Sequence, residues 1–218
     1  MDTDNKKKTG LQIVLIYIMI QFLTILSSQL LPASLQPTGG IWSNILLFIL
    51  GAGLIIFLDR KKRFDLFFEK PFSLQKSKVM IWGVVGFVIA VVSQYIATLI
   101  EVNFLGTPIT SQNTQGILEI VKRYPYFIVI VSIAGPIMEE FVFRKVLFGL
   151  SVGKIGGVGA AIISSLAFAL IHFDGRILVY SVMGLVFSWL YYKTKNIWTP
   201  IIAHCLMNTF AILVEFFL

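Results

Sequence analysis

Charge is scarce in this chain. Of its 218 residues only 13% are Asp, Glu, Lys or Arg, against about 25% in soluble proteins. Its 57% share of hydrophobic residues is too large to hide inside a 24.5 kDa globule. A soluble domain and a disordered chain are therefore excluded. Cysteine is scarcer still: Cys205 stands alone, so an intramolecular disulfide, and with it a secreted disulfide scaffold, is excluded. Cys205 is expected to pack as a small apolar residue. There is no internal repeat and no low-complexity tract beyond Lys6-Lys7-Lys8. What remains is an integral membrane protein.

A helix needs roughly 20 mostly apolar residues to cross the hydrocarbon core. Such runs fall at Leu11–Leu31, Ile41–Leu58, Val79–Ile100, Pro125–Phe148, Gly157–Phe173, Ile177–Tyr192 and Ile197–Leu218. The expected fold is all-α, a polytopic bundle of about seven transmembrane helices forming one domain over 1–218. Segment 1–124 supplies the N-terminal spans and surface pieces, and 125–210 the core that carries the polar motifs. The first run exceeds the 7–15 apolar residues of a secretory signal and reads as a retained anchor.

The bases set the orientation. Lys6, Lys7, Lys8, Arg60, Lys61, Lys62, Arg63, Lys70, Lys76, Lys78, Lys145, Lys154, Lys193 and Lys195 all fall on one side if the N-terminus is cytoplasmic. Lys122, Arg123 and Arg176 fall on the other, and Arg144 lies within a span. The positive-inside rule selects a cytoplasmic N-terminus and an external C-terminus. The net charge of +7 then reflects topology and an anionic inner leaflet rather than nucleic acid.

Segment 59–78 interleaves bases with Phe64, Phe67 and Phe68. It reads equally as an amphipathic interfacial piece or as a basic loop. In 101–124, Ile117, Leu118, Ile120 and Val121 recur at helical spacing, which predicts a short surface helix, a lid or rim. Gly149, Gly153, Gly156, Gly157 and Gly159 crowd the turn before the fifth span. The run Gly-Leu-Ser-Val-Gly-Lys-Ile is one residue short of a phosphate loop and lacks its Ser/Thr. A tight turn with close helix contact through Gly149/Gly153 and Gly153/Gly157 is expected instead.

Ionisable groups inside a bilayer are costly and mark function by default. Glu139, Glu140 and Arg144 lie within the fourth span, His172 ends the fifth, and His204 with Asn208 lies in the seventh; the chain has no other histidine. Pro136 removes a backbone donor just before the two acids. Glu140 and Arg144 stand at i and i+4 with the acid first, the favoured order for an ion pair. Glu139 points about 100° away, has no base at i+3 or i+4, and is left free for general-base work. A plain buried salt bridge would explain Glu140 and Arg144 but not Glu139. At ~1.5 Å per residue, Glu139 lies roughly 14 Å from Phe148, His204 roughly 14 Å from the end near Lys195, and His172 roughly 22 Å above Gly157. All three fall near mid-membrane. His204 and Asn208 share a helix face and offer two donors to one oxyanion. Phe168 and His172, also i and i+4, suggest an aromatic shelf beneath a histidine.

Three patterns now stand in order: Glu139-Glu140-x-x-x-Arg144, Phe168-x-x-x-His172 and His204-x-x-x-Asn208. The C-terminal half resembles the CAAX protease and bacteriocin-processing family of intramembrane glutamate proteases, also called CPBP or abortive-infection proteins. The resemblance implies an intramembrane endopeptidase. In it Glu139 activates water with His172 assisting, His204 and Asn208 stabilise the tetrahedral oxyanion, and Glu140, Arg144 and Phe168 support the site. It also suggests a bacterial plasma membrane and a role in bacteriocin maturation, self-immunity or peptide signalling.

No cofactor is expected, and the partners are a peptide or membrane-protein substrate and the lipid bilayer. Three alternatives remain open. Zinc held by His172, His204 and an acid would make a metalloprotease, although no HExxH pattern is present. A non-catalytic adaptor or immunity protein would use the same fold to bind a partner. A transporter with a proton relay would need a longer, two-repeat chain.

Overall fold

The computed structural model describes residues 3–36, 38–69 and 74–217. Lys70, counted among the orienting bases, and Leu218, the last residue of the seventh predicted span, lie outside them. Among the described residues the regular structure is all helical, with no strand. The elements are α1 (Thr3–Leu30), α2 (Thr38–Lys62), α3 (Lys76–Leu105), α4 (Gln112–Arg123), α5 (Gly135–Glu139), α6 (Gly149–Leu170), α7 (Ile177–Thr194) and α8 (Trp198–Phe217). Wider π-turns at Ile130–Ala134 and Glu140–Phe148 flank α5.

From Pro125 to Leu170 the backbone is helical over 46 residues. At 1.5 Å per residue such a rod would measure about 69 Å, more than twice the ~30 Å hydrocarbon core. It does not run straight. Gly156 adopts φ 73° and ψ 167°, a conformation open essentially to glycine alone, and the chain turns back there. The fourth and fifth predicted spans are thus separate helices joined at one residue.

Among the described residues five helical stretches are long and apolar enough to cross a membrane, with Pro125–Leu170 counted once, and Trp198–Val214 is a shorter apolar one. Large apolar side chains such as Leu15 and Phe22 on α1, Leu46 and Phe57 on α2, and Ile81, Val88 and Val92 on α3 are exposed. An apolar belt of that extent is stable only against lipid. The protein is an integral membrane protein.

Several expectations are refined. α1 begins eight residues before its apolar run, because Lys6–Lys8 are good helix formers that extend it beyond the core. The close helix contact is not at the glycine pairs expected for it. Gly149 meets the side chain of Leu66, and a Cβ at Gly157 would meet open space. The tight approach is between α6 and α7, where a Cβ on Gly184 would stand 2.9 Å from the Cα of Ser165. Small residues let backbones approach this closely in membranes.

Segment 59–69 is neither a surface helix nor a solvated loop. Phe64, Leu66 and Phe68 turn into the core while Phe67 stays out. Under them lies a buried polar cluster: Lys145 Nζ is 2.7 Å from Asp59 and 3.5 Å from Glu69, and Glu69 accepts from the Tyr191 hydroxyl at 2.8 Å. The predicted surface helix in 101–124 is α4. Ser111 caps it by accepting from Thr114 N–H at 3.1 Å, and Leu118 and Val121 pack on Ile41, Ile45, Phe127 and Ile212.

Candidate active site

The four elements α5, α6, α7 and α8 converge near mid-bundle, and the motif residues converge with them. Glu139 closes α5 and Glu140 opens the next π-turn, so the neighbours diverge. Glu140 is fully enclosed, while the Glu139 side chain keeps 19% of its surface. Glu140 is committed on both oxygens: Oε2 lies 3.3 Å from Arg144 Nε and Oε1 lies 2.9 Å from His204 Nδ1. A carboxylate only accepts, so Nδ1 of His204 carries the proton. That leaves Nε2 directed at Glu139, 3.7 Å from its Oε2. His204 therefore bridges the two acids.

Arg144 is completely buried beneath the Phe168 ring, 4.4 Å from its centroid, and 5.3 Å from that of Phe187. These faces offer the electron density a desolvated guanidinium needs. Phe187 also stacks on His204 at 4.9 Å. Phe168 thus touches Arg144 as well as both histidines, at 4.8 Å from His172 and 5.8 Å from His204. It is the shelf the spacing suggests, shared by the whole site.

His172 follows the last turn of α6. Its Nδ1 donates to the Phe168 carbonyl at 2.8 Å, which fixes the tautomer and leaves Nε2 as the acceptor. Its ring stacks on Tyr180 at 3.8 Å and 20°. Tyr180 is itself held: its hydroxyl donates to Asp174 at 3.0 Å and meets Ser111 Oγ, which also donates to Asp174. This clasp joins the cap of α4 to the imidazole of His172.

Asn208 is placed by the proline. Gly135 N–H bonds the Ile130 carbonyl, five residues back. The next donor in that ladder would be Pro136, which has none, so the Val131 carbonyl is left over. Asn208 Nδ2 donates to it at 2.8 Å. One amide hydrogen is spent there and the other remains available.

Glu139, His172, His204 and Asn208 all line one cavity of about 920 Å³, with Tyr17, Tyr180 and Ser111 among its other walls. Among the described residues no three His, Cys, Asp or Glu side chains are grouped so as to hold a metal ion. Sequence reasoning missed the clasp of Ser111, Asp174 and Tyr180, and also Glu101. The Glu101 carboxylate accepts Arg176 Nε at 3.0 Å and caps α7 through the N–H groups of Leu178 and Val179.

A sequence model of the type II CAAX prenyl endopeptidase Rce1-like family matches residues 122–210, the segment that carries every motif described above. Over nearly its full length the chain resembles bacterial proteins. It is 37% identical to the "Putative membrane peptidase YdiL" of Bacillus subtilis over 215 residues, 93% of this chain and 87% of that one. It is 34% identical to the membrane-embedded CAAX protease MroQ of Staphylococcus aureus over 214 residues, again 93% and 87%. The UPF0177 protein YxdF of Lactococcus lactis is 30% identical over 172 residues, 76% of this chain and 88% of that one. No solved structure matches the chain. The chain belongs to the Rce1-like CAAX endopeptidase family. It is a membrane-embedded peptidase acting on peptide or protein substrates.

Proposed function

We propose that the protein cleaves its substrate by a water molecule that Glu139 activates. Glu139 is the carboxylate left open to the cavity, whereas Glu140 is spent on Arg144 and His204. That asymmetry carries the reading. Glu139 takes a proton from water as hydroxide attacks the scissile carbonyl, and Nε2 of His172 assists in passing that proton to the leaving amine. His204 Nε2–H and the spare Asn208 amide hydrogen donate to the tetrahedral oxyanion. Glu140 accepts from Nδ1 and so fixes the ring with Nε2 toward the cavity side of the site, 3.7 Å from Glu139. Arg144 and Phe168 keep Glu140 and both rings in place.

The reaction runs without metal. Zinc would need three clustered protein donors, and among the described residues no three His, Cys, Asp or Glu side chains are so grouped. The setting is a bacterial plasma membrane with the N-terminus inside, and the substrates are peptides of bacteriocin maturation, self-immunity or signalling. All three relatives are bacterial, which supports that setting. The test is Glu139→Gln, with expression checked, followed by peptide profiling of membrane and secreted fractions with and without chelator. Loss of specific products in the variant, and none in chelator, is expected. An unchanged profile would sink the peptidase mechanism in favour of an adaptor.

A further inference from the structure

We infer that the site is reached from the outer face of the membrane, so that the substrate is a peptide segment presented on the non-cytoplasmic side. This rests on the peptidase reading for its substrate, but the side of access stands on geometry. The floor of the cavity lies near the helix midpoints, at Tyr17, Phe48, Glu139 and His204. From there its walls follow α1 to Ile25, α3 to Thr98 and α8 to Val214, and its rim is formed by Ile109–Ser111 and α4. Every wall thus leads toward the end of the bundle that bears α4.

The opposite end is closed. Phe64, Leu66, Phe68 and Phe148 are buried there over the Asp59, Glu69, Lys145 and Tyr191 cluster. The orienting bases, Lys6–Lys8, Arg60–Arg63, Lys76, Lys78, Lys154, Lys193 and Lys195, gather at this closed end. The open end carries only Lys122, Arg123 and Arg176, and Arg176 is neutralised by Glu101. The positive-inside bias therefore puts the closed end in the cytoplasm and the mouth outside.

The mouth also selects its occupant. Beyond Glu139, His172 and His204 and the Arg176 that Glu101 pairs, its lining is of amides, hydroxyls and apolar side chains, among them Gln94, Thr98, Asn113, Thr114, Ile117 and Phe173. It suits an uncharged or apolar stretch around the scissile bond, with hydrogen bonds to the peptide backbone rather than ion pairs.

Accessibility labelling reads the side directly. In a Cys205→Ala background, Gly116→Cys on α4 faces open space, and Lys61→Cys marks the basic end. Intact bacterial cells are treated with a membrane-impermeant maleimide. Gly116→Cys is expected to label at least tenfold faster than Lys61→Cys, which reacts only after permeabilisation. Labelling of Gly116→Cys only after permeabilisation, or of both positions equally, overturns the inference. A polyethylene glycol maleimide applied from outside to Thr114→Cys should then stop formation of the peptidase-dependent products, compared with the same cells unlabelled. Unchanged products after complete labelling would show another route and also overturn it. If Glu139→Gln leaves the peptide profile unaltered, the peptidase mechanism fails while the labelling still reports the side of access.

Discussion

Two adjacent carboxylates one peptide bond apart do different work here because their surroundings differ. Glu140 sits in a site closed to water, paired with Arg144 and His204. Breaking a buried pair by removing one partner strands a charge, at about 3–5 kcal/mol. Arg144→Met is therefore expected to lower unfolding stability by about that amount, measured by thermal or denaturant unfolding in detergent. The double variant Glu140→Leu, Arg144→Met removes both charges and should recover most of the loss. It is expected to stay inactive, because Nδ1 of His204 has lost the acceptor that orients its ring. Glu139→Gln should behave in the opposite way, with an unfolding midpoint unchanged within ~1 °C and a rate down by about 10²–10⁴, the usual contribution of a general base. A stable Arg144→Met variant, or an active double variant, would show that Glu140 is a bystander.

Helix irregularities place the side chains. The π-turn before Pro136 releases the Val131 carbonyl that positions Asn208. Pro136→Ala restores an N–H that competes for that carbonyl. It is expected to cost activity, by about fivefold if Asn208 is displaced through one hydrogen bond of ~1 kcal/mol, while stability is unchanged or slightly higher. At the turn between helices the expectation is sharper. Gly156→Ala must place a Cβ in the region at φ 73°, ψ 167° and should lose about 1–3 kcal/mol. Gly157→Ala, one residue on and facing open space, should lose nothing and leave the peptide profile unaltered. Equal effects at the two positions would refute the assignment of the break. Much of this element level was legible in advance. Apolar runs gave the helices, and the spacing of Ile117, Leu118, Ile120 and Val121 gave α4. The π-turns were not legible, since Pro136 signals a lost donor without saying which carbonyl it frees. Nor was the single turning residue, because five glycines crowd that stretch and φ is decided by packing of the flanking helices.

At the scale of the molecule, the polar groups sort into three layers along the bundle: the Glu101–Arg176 pair with the Ser111–Asp174–Tyr180 clasp at one end, the Glu139–His204–Glu140–Arg144 chain at the middle, and Asp59–Lys145–Glu69–Tyr191 at the other. In the middle layer the Glu140–Arg144 pair could be read from sequence because its members stand at i and i+4 inside an apolar run, whereas the bond of His204 to Glu140, 64 positions away, was not legible. The outer two could not be read either, because each joins residues far apart in sequence: Glu101 lies 75 positions from Arg176 and Tyr191 lies 122 from Glu69. Such pairings follow from how helices stack, which a single sequence does not disclose. The lowest layer has a consequence of its own. One ammonium, Lys145, compensates two carboxylates with its side chain only 6% exposed. Lys145→Met keeps the stem and removes the charge, leaving Asp59 and Glu69 facing each other in a site roofed by Phe64 and Phe68. Stability should fall by about 3–5 kcal/mol. Because the acids can escape only away from the bundle at this end, segment 59–69 should lift first. Hydrogen exchange read by mass spectrometry is then expected to rise at residues 64–69 and to stay level at α4. Protection lost at α4 as well would mean that the closed end and the mouth unfold as one unit, and that the seal is a support for the whole bundle rather than a local plug.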